Sequence, residues 1–263
     1  MTATLHPLKI DVAQFGTATQ LVPTIQANCQ RGLPELTPSI LAHDGSLVLV
    51  ASGPSMPSQL EAIRAERAKG RTICAINAAH DWLCEHDVEP DLFLTVDPRD
   101  LRHNLRRKNA RTRYLLASRV APEVFAHLAE CHVWLWHSFG HKAEVDAIHP
   151  YAKMAVGGGS TSGLRAIAVG HLFFGFRNFR LYGYDSCNTP DGKFKRFDGS
   201  QSGITTDVIC GDRTFICNMA MAAQANEFQT VTYGLLPDIH IEAFGDGLIA
   251  AILAERTRLG KPV

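Results

Sequence analysis

Apolar positions along the chain follow two alternating periods. Short apolar runs recur at Ser46 to Ala51, Thr72 to Ile76, Leu92 to Val96, Tyr114 to Ala117, Val133 to Trp136 and Phe179 to Tyr182, the first of them rich in β-branched residues. Each has the length of a buried strand. Between them, apolar residues repeat every three to four positions. Leu164, Ile167, Ala168, His171 and Leu172 form one helical stripe, with Arg165 facing the other way and Gly175 placed to end the helix in the left-handed conformation. Leu60, Ile63 and Arg67 share the face of a helix closed by Gly70, and Pro122 to Glu130 reads as another. Asp212 to Phe228 is predicted as a helix with Phe215, Met219, Ala222 and Ala223 on one side. A late strand at Val231 to Tyr233 and a final helix over Gly247 to Arg256 complete the pattern. Strands alternating with helices predict an α/β fold with a doubly wound, mainly parallel sheet. Residues 1–45, punctuated by Pro7, Pro23, Pro34 and Pro38, read as a partly helical N-terminal arm packed on one domain spanning 46–263.

Such sheets bind ligands at the C-terminal ends of their strands, so the residues there set the candidate chemistry. The segment GGGSTSG, residues 157–163, precedes the long helix. Its glycines permit positive φ and close approach of a ligand, Ser160, Thr161 or Ser162 can cap the helix, and the free N–H groups of the helix start suit an anion such as phosphate. A tight connection into a helix explains the same residues, and both readings stay open. Ser52-Gly53-Pro54-Ser55 after the first strand offers a second anion-binding turn. It has neither the lysine of a Walker motif nor a dinucleotide glycine spacing. Asn77 ends the next strand, where its amide can fix a base, a ribose or a loop. Asp97, in FLTVDPR, ends the one after, where a carboxylate can hold a divalent ion or hydroxyls, or cap a turn. Gly183, Tyr184 and Asp185 close the strand that follows the long helix.

Charge and composition narrow the classes. Lys plus Arg equals Asp plus Glu at 26 each, so no global field favours nucleic acid or a membrane surface. The densest basic run, Arg99 to Arg113, carries no aromatic residue and reads as a solvated helix with one or two arginines turned toward a substrate phosphate. Seven cysteines without a Cys-x-x-Cys pair argue against a disulfide framework or a structural zinc site. No signal peptide or spanning run is visible, which places the expected location in the cytoplasm. His137 and His141 have metal-like spacing but read as loop histidines; His80, beside Asn77, is a better candidate base than His171. The polar stretch from Ser186 to Gly203 is long for a connection and reads as a lid, from which Asp191, Lys193, Lys195, Arg196 and Asp198 can close over a phosphorylated substrate.

Taken together, VASGPSM, AINAA, LTVDPR, GGGSTSGLRAIAVGHLFFGFRNFRLYGYDSC and the terminal FGDGLI resemble the MptE-like family. That family is named for an archaeal 6-hydroxymethyl-7,8-dihydropterin diphosphokinase and is related to flagellin-modifying proteins and, distantly, to bacterial sialyltransferases. The resemblance implies a Rossmann-like nucleotide-binding transferase. By resemblance, Ser52, Gly53, Pro54 and Ser55 would touch nucleotide, Asn77 and Asp97 would line the site, Gly158, Gly159, Ser160 and Thr161 would bind phosphates, and Asp185 would face the transferred group. The leading expectation is diphosphoryl transfer from ATP to a small hydroxylated acceptor, with Mg²⁺ on Asp97 and Asp97 and Asp185 as the catalytic carboxylates. The alternatives are a glycosyltransferase using a nucleotide-sugar such as a CMP-linked acid, and a non-catalytic nucleotide- or sugar-binding accessory protein. The expected partners are therefore small molecules, with no nucleic acid or membrane, and a homo-oligomer is compatible with this reading.

Overall fold

The computed structural model describes residues 17–236 and 238–261, so the first part of the expected arm lies outside the described residues. In chain order, α1 (Ala18–Cys29) leads to β1 (His43–Val50), a 3-10 turn (Met56–Gln59) that runs into α2 (Leu60–Ala68), β2 (Thr72–Ile76), α3 (Ala79–Glu85) and β3 (Leu92–Thr95). Then come β4 (Arg113–Ala117), α4 (Pro122–His127), β5 (His132–Trp136), α5 (Lys142–Ile148), α6 (Ser162–Phe174) and β6 (Phe176–Tyr182). The chain closes with β7 (Thr205–Cys210), β8 (Arg213–Asn218), α7 (Met219–Gln229), β9 (His240–Phe244) and α8 (Leu248–Arg258).

Among the described residues, seven strands form one sheet in the order β5-β4-β3-β2-β1-β6-β9, and every neighbouring pair is parallel. Leu47, Val48, Leu49 and Val50 of β1 are all buried, as a central strand covered on both faces requires. The chain steps outward from β1 to β5 by way of α2, α3 and α4. On the return, α6 packs against β1, β2, β3 and β6. Ser46 to Val50 and Phe179 to Tyr182 belong to longer strands, each extended at its start by residues that pair along the β1–β6 seam, and Ala51 falls just past β1. Outside this core, Leu21 and Ile25 of α1 pack with Ala147 and Ile148 of α5 in a satellite cluster.

Three expectations are corrected. The segment expected to be helical from Asp212 does not start as a helix: residues 213–218 form β8, paired antiparallel with β7 outside the main sheet. Gly211 at φ +61 takes the first turn position, as a tight hairpin needs, and Phe215 and Cys217 alternate as the buried face. The helix begins only at Met219, after Asn218, whose side chain accepts from Met221 N–H at 2.9 Å. Val231 to Tyr233 is likewise no strand but part of a π-helical turn, Thr230–Leu235, continuing α7; the late strand is β9. Three apolar residues are too short a signal to separate the two. The basic run forms no helix beyond a 3-10 turn at Arg102–Asn104. It is laid along α3, with Arg106 N–H and Arg107 N–H both donating to the Asp81 carboxylate.

Candidate functional site

β1 has β2 on one side and β6 on the other, so the connections leaving β1 and β6 diverge and open a crevice at the strands' C-terminal edge. A cleft of about 670 Å³ occupies this position, a size suited to a small-molecule ligand. Both turns that stand out in the sequence reach it: Ser52, Gly53 and Pro54 after β1, and Ser160 and Thr161 before α6. Asn77, Asp97 and Asp185 line it as well, whereas Ser55, Gly158 and Gly159 do not.

Asp185 locks the β1 turn to the end of β6. Its carboxylate accepts Ser55 N–H at 2.9 Å, its carbonyl accepts Leu248 N–H at 2.8 Å, and Gly53 N–H donates to Gly183 O at 2.9 Å. Glycine at 53 is required by the fit, because a Cβ there would lie 2.5 Å from Gly183 O and closer still to Asp185 Oδ2. Burial pushes the Asp185 carboxyl above its ordinary range, against the opposing pull of the Ser55 hydrogen bonding.

The glycine turn has the backbone its sequence implies, with Gly158 at φ +99 and Gly159 at φ +96, and Thr161 caps α6 by accepting Leu164 N–H at 3.3 Å. The donors of Ser160 are already used. Ser160 gives its N–H at 2.9 Å and its hydroxyl at 2.6 Å to Glu227 Oε2 of α7, and Gln224 Nε2 donates to Thr161 Oγ1 at 3.2 Å. Arg165, expected to face away from the core stripe, is itself buried, because it holds the turn from below. It donates to Gly159 O at 2.6 Å, to Phe139 O at 2.7 Å and to Val156 O, and burial lowers its pKa to about 10, leaving it charged at neutrality.

Asp97 is nearly enclosed, and both its oxygens accept from Arg99, with Nε at 2.9 Å and Nη2 at 2.5 Å; Arg99 N–H adds a bond at 3.0 Å. The preceding strand end is fixed to α6 by Val96 N–H donating to Ser162 Oγ at 3.1 Å. From the basic run, Arg99 lines the cleft. Arg102 pairs with Asp100, Arg107 with Glu85 and Arg111 with Glu89, all at the surface. Asn77 holds a left-handed φ of +49 at the end of β2, and its Oδ1 is buried without a hydrogen-bond partner. Ser186, at the end of β6, has φ +48. Two non-glycine residues in this region on one cleft mark local strain of the kind that collects at functional sites.

His80 is fully buried between Asp81 and the Tyr114 hydroxyl and does not line the cleft, so it is not placed as a base. His137 is buried beside Glu35 and Cys29. All seven cysteines are free thiols. Among the described residues, no three His, Cys, Asp or Glu side chains converge as a metal site, and no helix is long and apolar enough to cross a membrane.

Three contributors escape a reading of the sequence. Arg119 and Ser138, just past β4 and β5, extend the cleft along the sheet edge, and Arg119 pairs with buried Glu144 at 3.3 Å. The strand-end rule that selects Asn77 and Asp97 selects both when applied one and two strands further. Glu227 lies 67 positions from Ser160, and nothing local in the sequence announces that contact.

A solved structure shares the fold, and a family model matches the sequence. The MAf glycosyltransferase from Magnetospirillum magneticum AMB-1 superposes with a TM-score of 0.68 at 13% sequence identity, over 91% of this chain and 41% of that one. The chain therefore spans about two fifths of that enzyme's length, and at this identity the likeness shows the fold. No protein of curated function matches in sequence. The family model described as 6-hydroxymethylpterin diphosphokinase MptE-like matches residues 20–191, a stretch that holds β1 to β6, both turns, Asn77, Asp97 and Asp185. The chain belongs to the MptE-like family.

Proposed function

We propose that this protein is a nucleotide-dependent transferase, with the nucleotide seated at the β1–β6 crevice and a small hydroxylated acceptor toward the ends of β3, β4 and β5. The observation that carries this reading is the cleft in which Ser52 to Pro54, Asn77, Asp97 and Asp185 come together at the topological switch point. Asn77, with an unpartnered buried carbonyl oxygen, is suited to accept from a base or ribose. Asp97 is the base that would take the acceptor's proton, and Arg99 holds its carboxylate in one orientation. Asp185 keeps the β1 turn in place from behind.

Two transferred groups are compatible with that arrangement. Diphosphoryl transfer from ATP is supported by the family's description. Glycosyl transfer from a nucleotide-sugar is supported by the basic side chains that line the cleft, Lys195 and Arg196 among them. The residues present do not fit a resident Mg²⁺: among the described residues no three His, Cys, Asp or Glu side chains converge, and Asp185 is buried with a raised pKa. A leaving nucleotide in the glycosyl reaction is stabilised by cations and hydrogen-bond donors of the chain itself. We therefore favour glycosyl transfer.

Product analysis separates the two. The protein is incubated with ATP and a hydroxymethylated pterin, and in parallel with CMP-linked sugar acids and hydroxylated acceptors. Acceptor-dependent release of CMP supports the favoured reading, and acceptor-dependent AMP supports diphosphoryl transfer. Nucleotide binding without either product would make the protein a non-catalytic binding module.

A further inference from the structure

Five basic side chains among the described residues line the cleft: Arg99, Arg119, Arg165, Lys195 and Arg196. The first three are engaged within the fold. Arg99 forks onto Asp97, Arg119 pairs with buried Glu144, and Arg165 is bound to three backbone carbonyls. Lys195 and Arg196 differ, because both are half-buried and neither side chain has a partner among the described residues. A cation drawn partly out of water without a carboxylate leaves a local positive potential aimed at whatever enters the cleft.

Several donors of the two glycine turns are already engaged within the fold. In the β1 turn, Gly53 N–H donates to Gly183 O, Ser55 N–H to Asp185, and Met56 N–H to Gly53 O. In the turn before α6, Ser160 gives both its donors to Glu227, so a carboxylate of the chain already sits where a bound anion was expected. We infer that the phosphate oxygens of the ligand are gripped by Lys195 and Arg196, from the loop between β6 and β7. This rests on the nucleotide reading above and moves its anionic end to a segment the family model does not reach, since the match stops at residue 191.

The loop is built to hold these two residues over the cleft. Asn188 N–H donates to Ile216 O of β8 at 2.8 Å, Ser202 Oγ donates to Asn188 Oδ1 at 2.7 Å, and Thr189 N–H donates to Phe194 O at 2.8 Å. Phe197 lies against Trp82 of α3 with ring centroids 5.9 Å apart, which ties the far end of the loop to α3. Lys193, two residues before Lys195, is exposed and pairs with Asp191 at 3.3 Å, so the same loop contains an internal control.

The test is calorimetric titration of inorganic pyrophosphate, CMP and ATP into the parent protein and into Lys195→Ala, Arg196→Ala, the double variant and Lys193→Ala, with thermal melts confirming that each is folded. Loss of a charge-assisted contact predicts that Lys195→Ala and Arg196→Ala each weaken pyrophosphate and the bound nucleotide by about tenfold or more. Lys193→Ala should leave both affinities unchanged. Nucleotide affinity retained in the double variant would overturn the inference and leave the nucleotide reading standing. Pyrophosphate bound through Lys195 and Arg196 with no nucleotide bound would do the reverse. Absence of all three ligands from the parent protein would overturn both.

Discussion

Ser160 donates both its backbone N–H and its hydroxyl to a single oxygen of Glu227, at 2.9 and 2.6 Å. The carboxylate thereby completes the start of α6 from a neighbouring helix, in the place where a phosphate would otherwise satisfy those donors. Glu227→Ala is expected to destabilise the protein by about 1–3 kcal/mol through loss of charge-assisted hydrogen bonds and the donors left open. Chemical denaturation measures this. An unchanged midpoint would show that the contact contributes nothing to the turn.

Asp97→Asn should separate function from stability. Its partner Arg99 is about half exposed, so the ion pair contributes little to folding, on the order of 0–1 kcal/mol. Loss of a positioned base is worth about 10²–10⁴-fold in turnover. Steady-state kinetics and a melting curve on the same preparation check both halves. A large loss of melting temperature with unaltered turnover would make Asp97 a structural cap.

Asp185 gives a pH dependence whose sign follows from its burial. Its folded-state pKa lies above the ordinary value of 3.8, so its contribution favours the folded protein most when protonated and is lost as pH rises through the folded pKa. Asp185→Asn keeps an acceptor for Ser55 N–H and cannot titrate. The parent should therefore gain stability relative to Asp185→Asn as pH falls from neutrality toward the ordinary carboxyl range. Melting temperatures of both proteins across that range provide the measurement, and two parallel curves would contradict the assignment.

The basic run should behave as a surface feature. Arg107 pairs with Glu85 away from the cleft, so Arg107→Ala should leave nucleotide affinity unaltered, whereas Arg99→Ala, which releases Asp97 at the cleft, should lower it. Duplex DNA gripped by many of these residues would lose about 10³-fold or more in affinity between low and moderate salt. Binding across a salt series tests this, and tight, steeply salt-sensitive DNA binding would move the function away from the cleft.

Much of this architecture is legible in the chain because burial imposes strong local patterns. The run LVLV of β1, buried throughout, and the stripe of α6 ended by Gly175 at φ +74 are both short-range signals. The strand-end rule likewise points to Asn77, Asp97 and Asp185, which do line one cleft. What escapes depends on distance or on competing periods. Residues 215–223 satisfy a helical spacing, yet Gly211 and the alternation of Phe215 with Cys217 decide for a hairpin. Arg165 reads as outward-facing on its own helix, and only the carbonyls of Phe139, Val156 and Gly159 make it a buried support. His80 stands beside Asn77 in sequence, but Phe93 and Tyr114 from neighbouring strands enclose it.

The central claim, that the cleft at the β1–β6 switch point takes a nucleotide, is tested most directly by a thermal-shift panel of ATP, GTP, CMP, CTP and UDP, each with and without Mg²⁺. A ligand that binds only the folded state adds about 2.7 kcal/mol of stability at roughly a hundred times its Kd. At least one nucleotide is predicted to raise the melting temperature in a concentration-dependent way, with CMP or CTP doing so without Mg²⁺ under the favoured glycosyl reading. A flat response to all five, in both conditions, would contradict the account.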